Sequence, residues 1–304
     1  MDVYLPIANL AVNLLVIIGL GAVTGILSGM FGVGGGFLTT PLLIFYGVPP
    51  TVAAASAASQ VTGASVSGVI AHSKRGGVDY QMGGVIVAGG IVGTGLGALL
   101  FNLFTALGQI DTLINVLYVG LLGSIGTFMA RDAWRALQAQ RTGVPLPARK
   151  RRHHPLVASL PMRWRFYRSG LYISPLAPLL LGVLTGILTM LMGIGGGFVL
   201  VPAMLYILGM SANVVVGTSL FQILFTTIAT TLMHAMTTHA VDIVLAVVLL
   251  FGSVTGAQLG ARLALRVPPE RLRLTLAILV LLVALRMALG LTYRPEAIYT
   301  LAPL

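Results

Sequence analysis

Two glycine-rich stretches hold the residues best placed to do chemistry: Gly32-Val33-Gly34-Gly35-Gly36-Phe37 and Gly193-Ile194-Gly195-Gly196-Gly197-Phe198. Three glycines in a row do not sustain a helix, since each costs about 1 kcal/mol relative to alanine. They do reach backbone conformations closed to other residues, so amide N–H groups can turn toward a ligand. Each stretch leads into an apolar run with an early proline, Pro41 or Pro202, where the sequence predicts the first turn of a new helix. A helix start offers unbonded N–H groups and the positive end of the helix dipole, which together suit an anion. The amides of Gly34, Gly35, Gly36 and Phe37 are expected to face those of Gly195, Gly196, Gly197 and Phe198. A packing kink is the competing reading, and the duplication weighs against it. A nucleotide loop is disfavoured, because the Gly-Lys-Ser/Thr signature, a preceding soluble strand and a following acidic residue are all missing.

A second polar group lies downstream, with Ser56, Ser59, Gln60 and Thr62 matched by Thr218, Ser219 and Gln222. Ser56 and Gln60 are four residues apart, as are Thr218 and Gln222, so each pair shares a helix face. These four join the candidate substrate-binding set; hydrogen bonding to neighbouring helices is the alternative for each. His72 and His234 suit either interfacial packing or proton transfer, and their expected placement at opposite membrane faces rules out a shared metal. Asp79 and Asp242 are expected to cap helices, and Arg286 to snorkel from the outer end of the last segment. His153-His154 reads as part of a basic loop. No metal or cofactor is expected. No Asp or Glu lies inside an apolar segment away from its ends, which points to a small anion or neutral solute rather than a cation. Without a buried arginine, binding should be weak and release easy. An enzyme would need a nucleophile with its base, or a metal set, at one depth, and no such cluster is present.

The chain that positions these residues has 304 residues, 57% hydrophobic and 8% charged, against roughly 25% charged in a soluble domain. The fold class is therefore all-α, a polytopic membrane protein. Ten apolar segments can be drawn, near 8–30, 37–46, 51–71, 82–104 and 110–130, then 175–192, 197–209, 213–236, 242–264 and 273–291. The halves repeat: Thr24-Gly25-Ile26-Leu27 recurs as Thr185-Gly186-Ile187-Leu188, Pro41 as Pro202, Gln60 as Gln222 and His72 as His234. The expected division is a first membrane repeat over 1–130, a basic loop over 131–174 and a second repeat over 175–304.

Ten of the 18 Lys and Arg residues lie between Arg131 and Arg168, which marks that loop as cytoplasmic. Binding of anionic lipid headgroups is the alternative role for it, and no nucleic-acid partner is expected despite the net charge of +11. Five crossings per half put Lys74-Arg75 inside and both termini outside. The charge then swaps loops, because Thr237-Thr238 replace Lys74-Arg75 and Arg262, Arg266, Arg271 and Arg273 fill the loop that is bare in the first half. Inverted-topology repeats with interrupted helices are expected to behave this way. The stripes Gly89, Gly93, Gly97 and Gly252, Gly256, Gly260 let helices approach closely, either within the chain or in a homodimer.

The run from Gly25 through Phe37 with Pro41, and from Gly186 through Phe198 with Pro202, resembles the sulfite exporter TauE/SafE family. The duplicated halves and the glycine-packed fourth helix match as well, over about 20–290. The resemblance implies movement of sulfite, a sulfonate, sulfoacetate or another small organic anion across a bacterial inner membrane. It places the anion near Gly34, Gly35, Gly36, Gly195, Gly196, Gly197, Gln60 and Gln222. The absence of cysteine departs from the related thiosulfate uptake proteins and argues against a sulfur relay. The leading expectation is a secondary transporter, an exporter; an anion channel with a glycine-lined constriction is the alternative.

Overall fold

The computed structural model describes residues 2–31, 34–142, 161, 163–264 and 269–292. Its two halves have the same order of elements. A hairpin of β1 (Asp2–Leu5) and β2 (Leu10–Asn13) leads into α1 (Leu14–Phe31), α2 (Gly36–Phe45), α3 (Pro50–Lys74), α4 (Tyr80–Ala106) and α5 (Ile110–Thr142). A hairpin of β3 (Trp164–Phe166) and β4 (Leu171–Ile173) then leads into α6 (Leu176–Met192), α7 (Gly197–Tyr206), α8 (Ala212–Met233), a π-helical turn (His234–Thr238), α9 (Ile243–Ala264) and α10 (Pro269–Thr292).

The ten helices follow the ten apolar segments, since apolar runs and glycine breaks mark them strongly. Three boundaries differ. Residues 10–13 are strand, so the first helix starts at Leu14 and not near residue 8. Helix α5 runs on through Arg131 to Thr142. The β3–β4 hairpin occupies the end of the stretch read as loop and mirrors β1–β2, with Asn9 (φ 50°) and Gly170 (φ 64°) at the two turns. Strands of three or four residues leave too little periodicity to be read against an apolar background. Gly32, Val33, His153, His154 and Arg266 lie outside the described residues.

Both interruptions are built on left-handed glycines. Gly34 (φ 78°) and Gly35 (φ 45°) precede α2; Gly193 (φ 71°), Gly195 (φ 76°) and Gly196 (φ 76°) end α6 and precede α7. Side chains other than glycine rarely adopt these angles. The prolines do not sit in the first turn as expected, because Pro41 and Pro202 lie one turn further into helices that begin at Gly36 and Gly197. There each removes the N–H that would bond the carbonyl four residues back, that of Phe37 and that of Phe198.

Packing between the halves is reciprocal: α1 lies along α9 and α6 along α4, while α3 pairs with α8 and α5 with α10. The small-residue stripes make the first two contacts. A Cβ at Gly93 would strike the Val183 carbonyl, and one at Gly256 the Ala22 carbonyl. Both stripes are thus filled within the chain.

The ends of the bundle follow from a few hydrogen bonds. The Asn13 N–H donates to the Tyr46 hydroxyl at 3.3 Å, so α2 ends beside the start of α1. The Tyr206 hydroxyl donates to Asp132 at 2.8 Å, so α7 ends beside the far part of α5. The first turn of α5 stands next to Thr51, which hydrogen-bonds Asp111, and Asp132 lies about 30 Å further along that helix. Helices α2 and α7, each about 15 Å long, therefore run from a shared starting region to opposite ends.

Tyr80–Ala106, Ile110–Arg135, Val214–Thr238, Ile243–Gly260 and Leu274–Leu291 are long and apolar enough to cross a membrane. Their outward faces carry exposed Ile91, Leu99, Val116, Phe128, Phe251 and Leu282. Such surface suits lipid.

Candidate functional site

The two interruptions touch. A Cβ on Gly36 would lie 2.7 Å from the Gly193 carbonyl oxygen and 3.1 Å from that of Ile194, so the first residue of α2 rests on the break before α7. One residue on, the rings of Phe37 and Phe198 stack with centroids 4.7 Å apart. Val61 of α3 and Ile223 of α8 close the other side: both reach Gly34 and both reach Gly195. Gly34, Gly35 and Gly36, Gly195, Gly196 and Gly197, and both phenylalanines are buried, so the region is occluded.

This burial leaves backbone groups to account for. The Gly36 N–H turns back to the Gly34 carbonyl, and the N–H groups of Leu38 and Val199 bond to Gly35 and Gly196. Among the described residues no acceptor faces the N–H groups of Phe37, Gly197 and Phe198. Buried N–H groups normally have partners. The Met192 carbonyl, just before the second break, takes the Tyr118 hydroxyl at 2.6 Å and the Thr40 hydroxyl at 3.2 Å.

Gln60 of α3 and Gln222 of α8 each precede a residue that lines the breaks, Val61 and Ile223. Gln222 Nε2 donates to Thr226 Oγ1 at 2.8 Å and lies 3.5 Å from Thr185 Oγ1. Thr185 and Thr189 of α6 stand against Gly196, as Thr24 and Ser28 of α1 stand against Gly35. Both glutamine side chains are fully buried, at 1% and 0% exposure. Neither Oε1 has a hydrogen-bond partner, and Ser65 Oγ on α3 has none either.

Ser56 and Thr218 have a different task. The Thr218 hydroxyl accepts the Asp79 N–H at 3.0 Å, and the Ser56 hydroxyl accepts the Asp242 N–H at 3.1 Å. Each thus braces the start of the other half's fourth helix rather than the break. The aspartates cap as expected: Asp79 Oδ1 takes the Met82 N–H at 3.0 Å, and Asp242 Oδ1 takes the Leu245 N–H at 3.1 Å. Their second oxygens hold the hairpins. Asp79 Oδ2 accepts from the Ser169 N–H at 3.0 Å and from the Ser169 hydroxyl; Asp242 Oδ2 accepts from Ile7 N–H at 3.1 Å.

Ser59 and Thr62 bond across to Thr231 and Thr227, at 3.3 and 2.8 Å, and so zip α3 to α8. His234 lies between the Met190 carbonyl, 3.0 Å from Nε2, and Thr238 Oγ1, 3.1 Å from Nδ1, with Phe101 edge-on. Arg286 lies over the Phe45 ring. Among the described residues no cluster of three potential metal ligands occurs.

Reading by residue type missed Val61, Ile223, Thr185, Thr189 and Thr226. The signal for the threonines was present, since Gln222, Thr226 and Thr230 recur at four-residue spacing on α8. Apolar Val61 and Ile223 carry no such mark.

The profile of the family described as sulfite exporter TauE/SafE matches residues 17–287. The chain belongs to that family. It is similar to the "Probable membrane transporter protein YjnA" of Bacillus subtilis (strain 168), at 28% identity over 271 residues, 89% of this chain and 98% of that one. A "Probable membrane transporter protein" of Xylella fastidiosa (strain Temecula1) is 30% identical over 262 residues, 85% of this chain and 88% of the other. Another relative, from Methanocaldococcus jannaschii, is 24% identical over 282 residues, 88% of this chain and 92% of its own. No solved structure matches. This TauE/SafE family member is a multi-pass membrane transporter and not an enzyme. The matched region spans both interruptions and all ten helices in whole or in part.

Proposed function

We propose that the chain is a secondary transporter that exports a small sulfur-containing oxyanion, such as sulfite or a short organosulfonate, across a bacterial inner membrane. The anion rests where α2 and α7 begin, near Gly34, Gly35, Gly36 and Phe37, Gly195, Gly196, Gly197 and Phe198, with Gln60 and Gln222 beside it. One observation carries this reading: two helix starts meet inside the bundle, and among the described residues the N–H groups of Phe37, Gly197 and Phe198 have no acceptor. Their helix dipoles add favourably at the meeting point.

Inverted insertion of the halves agrees with the reciprocal packing and with α2 and α7 pointing to opposite ends. The basic loop lies inside and the termini outside; the Arg168 guanidinium donates to the Gly76 carbonyl at 2.8 Å, which puts the Lys74-Arg75 turn at the same end as the hairpin that follows the loop. An occluded meeting point favours a transporter over a channel, because a transporter cycles through a closed state whereas a conducting pore stays open.

Flux in proteoliposomes tests this with sulfite, sulfoacetate, taurine and carboxylate analogues, with and without a pH gradient. Saturable uptake of a sulfur oxyanion with counterflow is expected. Gly196→Val should abolish it while insertion persists, because Gly196 has φ 76° and a Cβ there would lie 2.8 Å from Thr185 Cβ. Wild-type flux in that variant, or flux too fast to saturate, would overturn the reading.

A further inference from the structure

The unbonded groups of the breaks and of the two helices beside them are of two opposite kinds. Among the described residues the N–H groups of Phe37, Gly197 and Phe198 have no acceptor. The Oε1 atoms of Gln60 and Gln222, on the helices whose Val61 and Ile223 line the breaks, need a donor. A bare anion satisfies the first set and leaves the second buried and unpaired, which is unfavourable.

Charge points the same way. A helix start is equivalent to roughly half a positive charge. Two of them meeting come to about one charge. Among the described residues no Lys or Arg is buried to add to it. A dianion would leave about one negative charge uncompensated in a site closed to water, which is strongly unfavourable.

We propose that the ligand is a monoanion that also carries a hydrogen-bond donor. Hydrogen sulfite, or a short sulfonate bearing a hydroxyl group, meets both needs; sulfite dianion and plain alkylsulfonates do not. The oxyanion end takes the amides of Phe37, Gly197 and Phe198, and the donor end serves a glutamine Oε1. This rests on the anion site proposed above and narrows its substrate.

The test compares 2-hydroxyethanesulfonate with propane-1-sulfonate, which have the same charge and nearly the same shape and differ by a hydroxyl in place of a methyl. Binding to the full-length protein in detergent is read as protection against thermal unfolding, and transport as counterflow in proteoliposomes. The hydroxyl compound should bind about tenfold or more tightly, because one lost hydrogen bond to a buried acceptor is of that order. Gln60→Leu and Gln222→Leu should shrink that preference while changing propane-1-sulfonate binding little. Equal protection by the two sulfonates would overturn the donor requirement and leave the anion site standing. No protection by either sulfonate or by sulfite would overturn both. The comparison in the unaltered protein decides the matter even if the leucine variants fail to fold.

Discussion

Phe37 and Phe198 stack face to face, with centroids 4.7 Å apart and planes 8° apart. Each is the second residue of an interrupted helix, and both belong to the apolar cluster built with Tyr118, Leu122, Leu276 and Val280 of α5 and α10. The stack holds two helix starts together although the backbone leading into each is mostly glycine. It gives Phe37 and Phe198 a packing role for their rings, while their N–H groups have no acceptor among the described residues.

Truncating this pair should show coupling. Phe37→Leu and Phe198→Leu are each expected to destabilise the protein, and the double variant should recover about 0.5–1.5 kcal/mol relative to the sum. Reversible unfolding of the four proteins in detergent measures it. Strict additivity would mean that the rings do not interact.

Two glycines on α4 should respond oppositely to alanine. Gly93 faces the Val183 backbone with no room for a methyl group, whereas a Cβ at Gly95 meets nothing within 4 Å. Gly95→Ala should be neutral or stabilise by up to about 1 kcal/mol through helix propensity. Gly93→Ala should force α4 from α6 and lower the unfolding temperature. If both variants behave alike, the close α4–α6 crossing is wrong.

Removing the Thr218 hydroxyl should weaken the brace on α4 without touching the ligand. Thr218→Val leaves the buried Asp79 N–H without its acceptor, at a cost of about 1–3 kcal/mol. Ser56→Ala should do the same for Asp242. Ligand affinity per folded molecule should stay within about threefold in both, well under the tenfold of a lost buried hydrogen bond. A large loss of affinity at unchanged stability would return these hydroxyls to the binding site. Asp79→Ala extends the test, because it should also speed amide exchange at Ser169, whose N–H and hydroxyl the carboxylate holds.

The sequence by itself determined the ten helices, the two glycine interruptions and the pairing of the halves. Each rests on local pattern: apolar runs, residues that reach left-handed backbone, and matched positions at a nearly constant offset. Asp79 and Asp242 were legible as caps for the same reason, since a cap bonds its own first turn. Only the tertiary structure decided which polar residues are already bonded and which keep a free atom. Ser56 and Gln60 share one helix face by spacing, yet Ser56 is consumed by the Asp242 N–H and Gln60 keeps a free oxygen. Val61 and Ile223 look like ordinary core residues, and it is packing between halves that puts both against Gly34 and Gly195. The physical reason is that hydrogen-bond saturation depends on partners more than a hundred residues away, and local pattern does not record them.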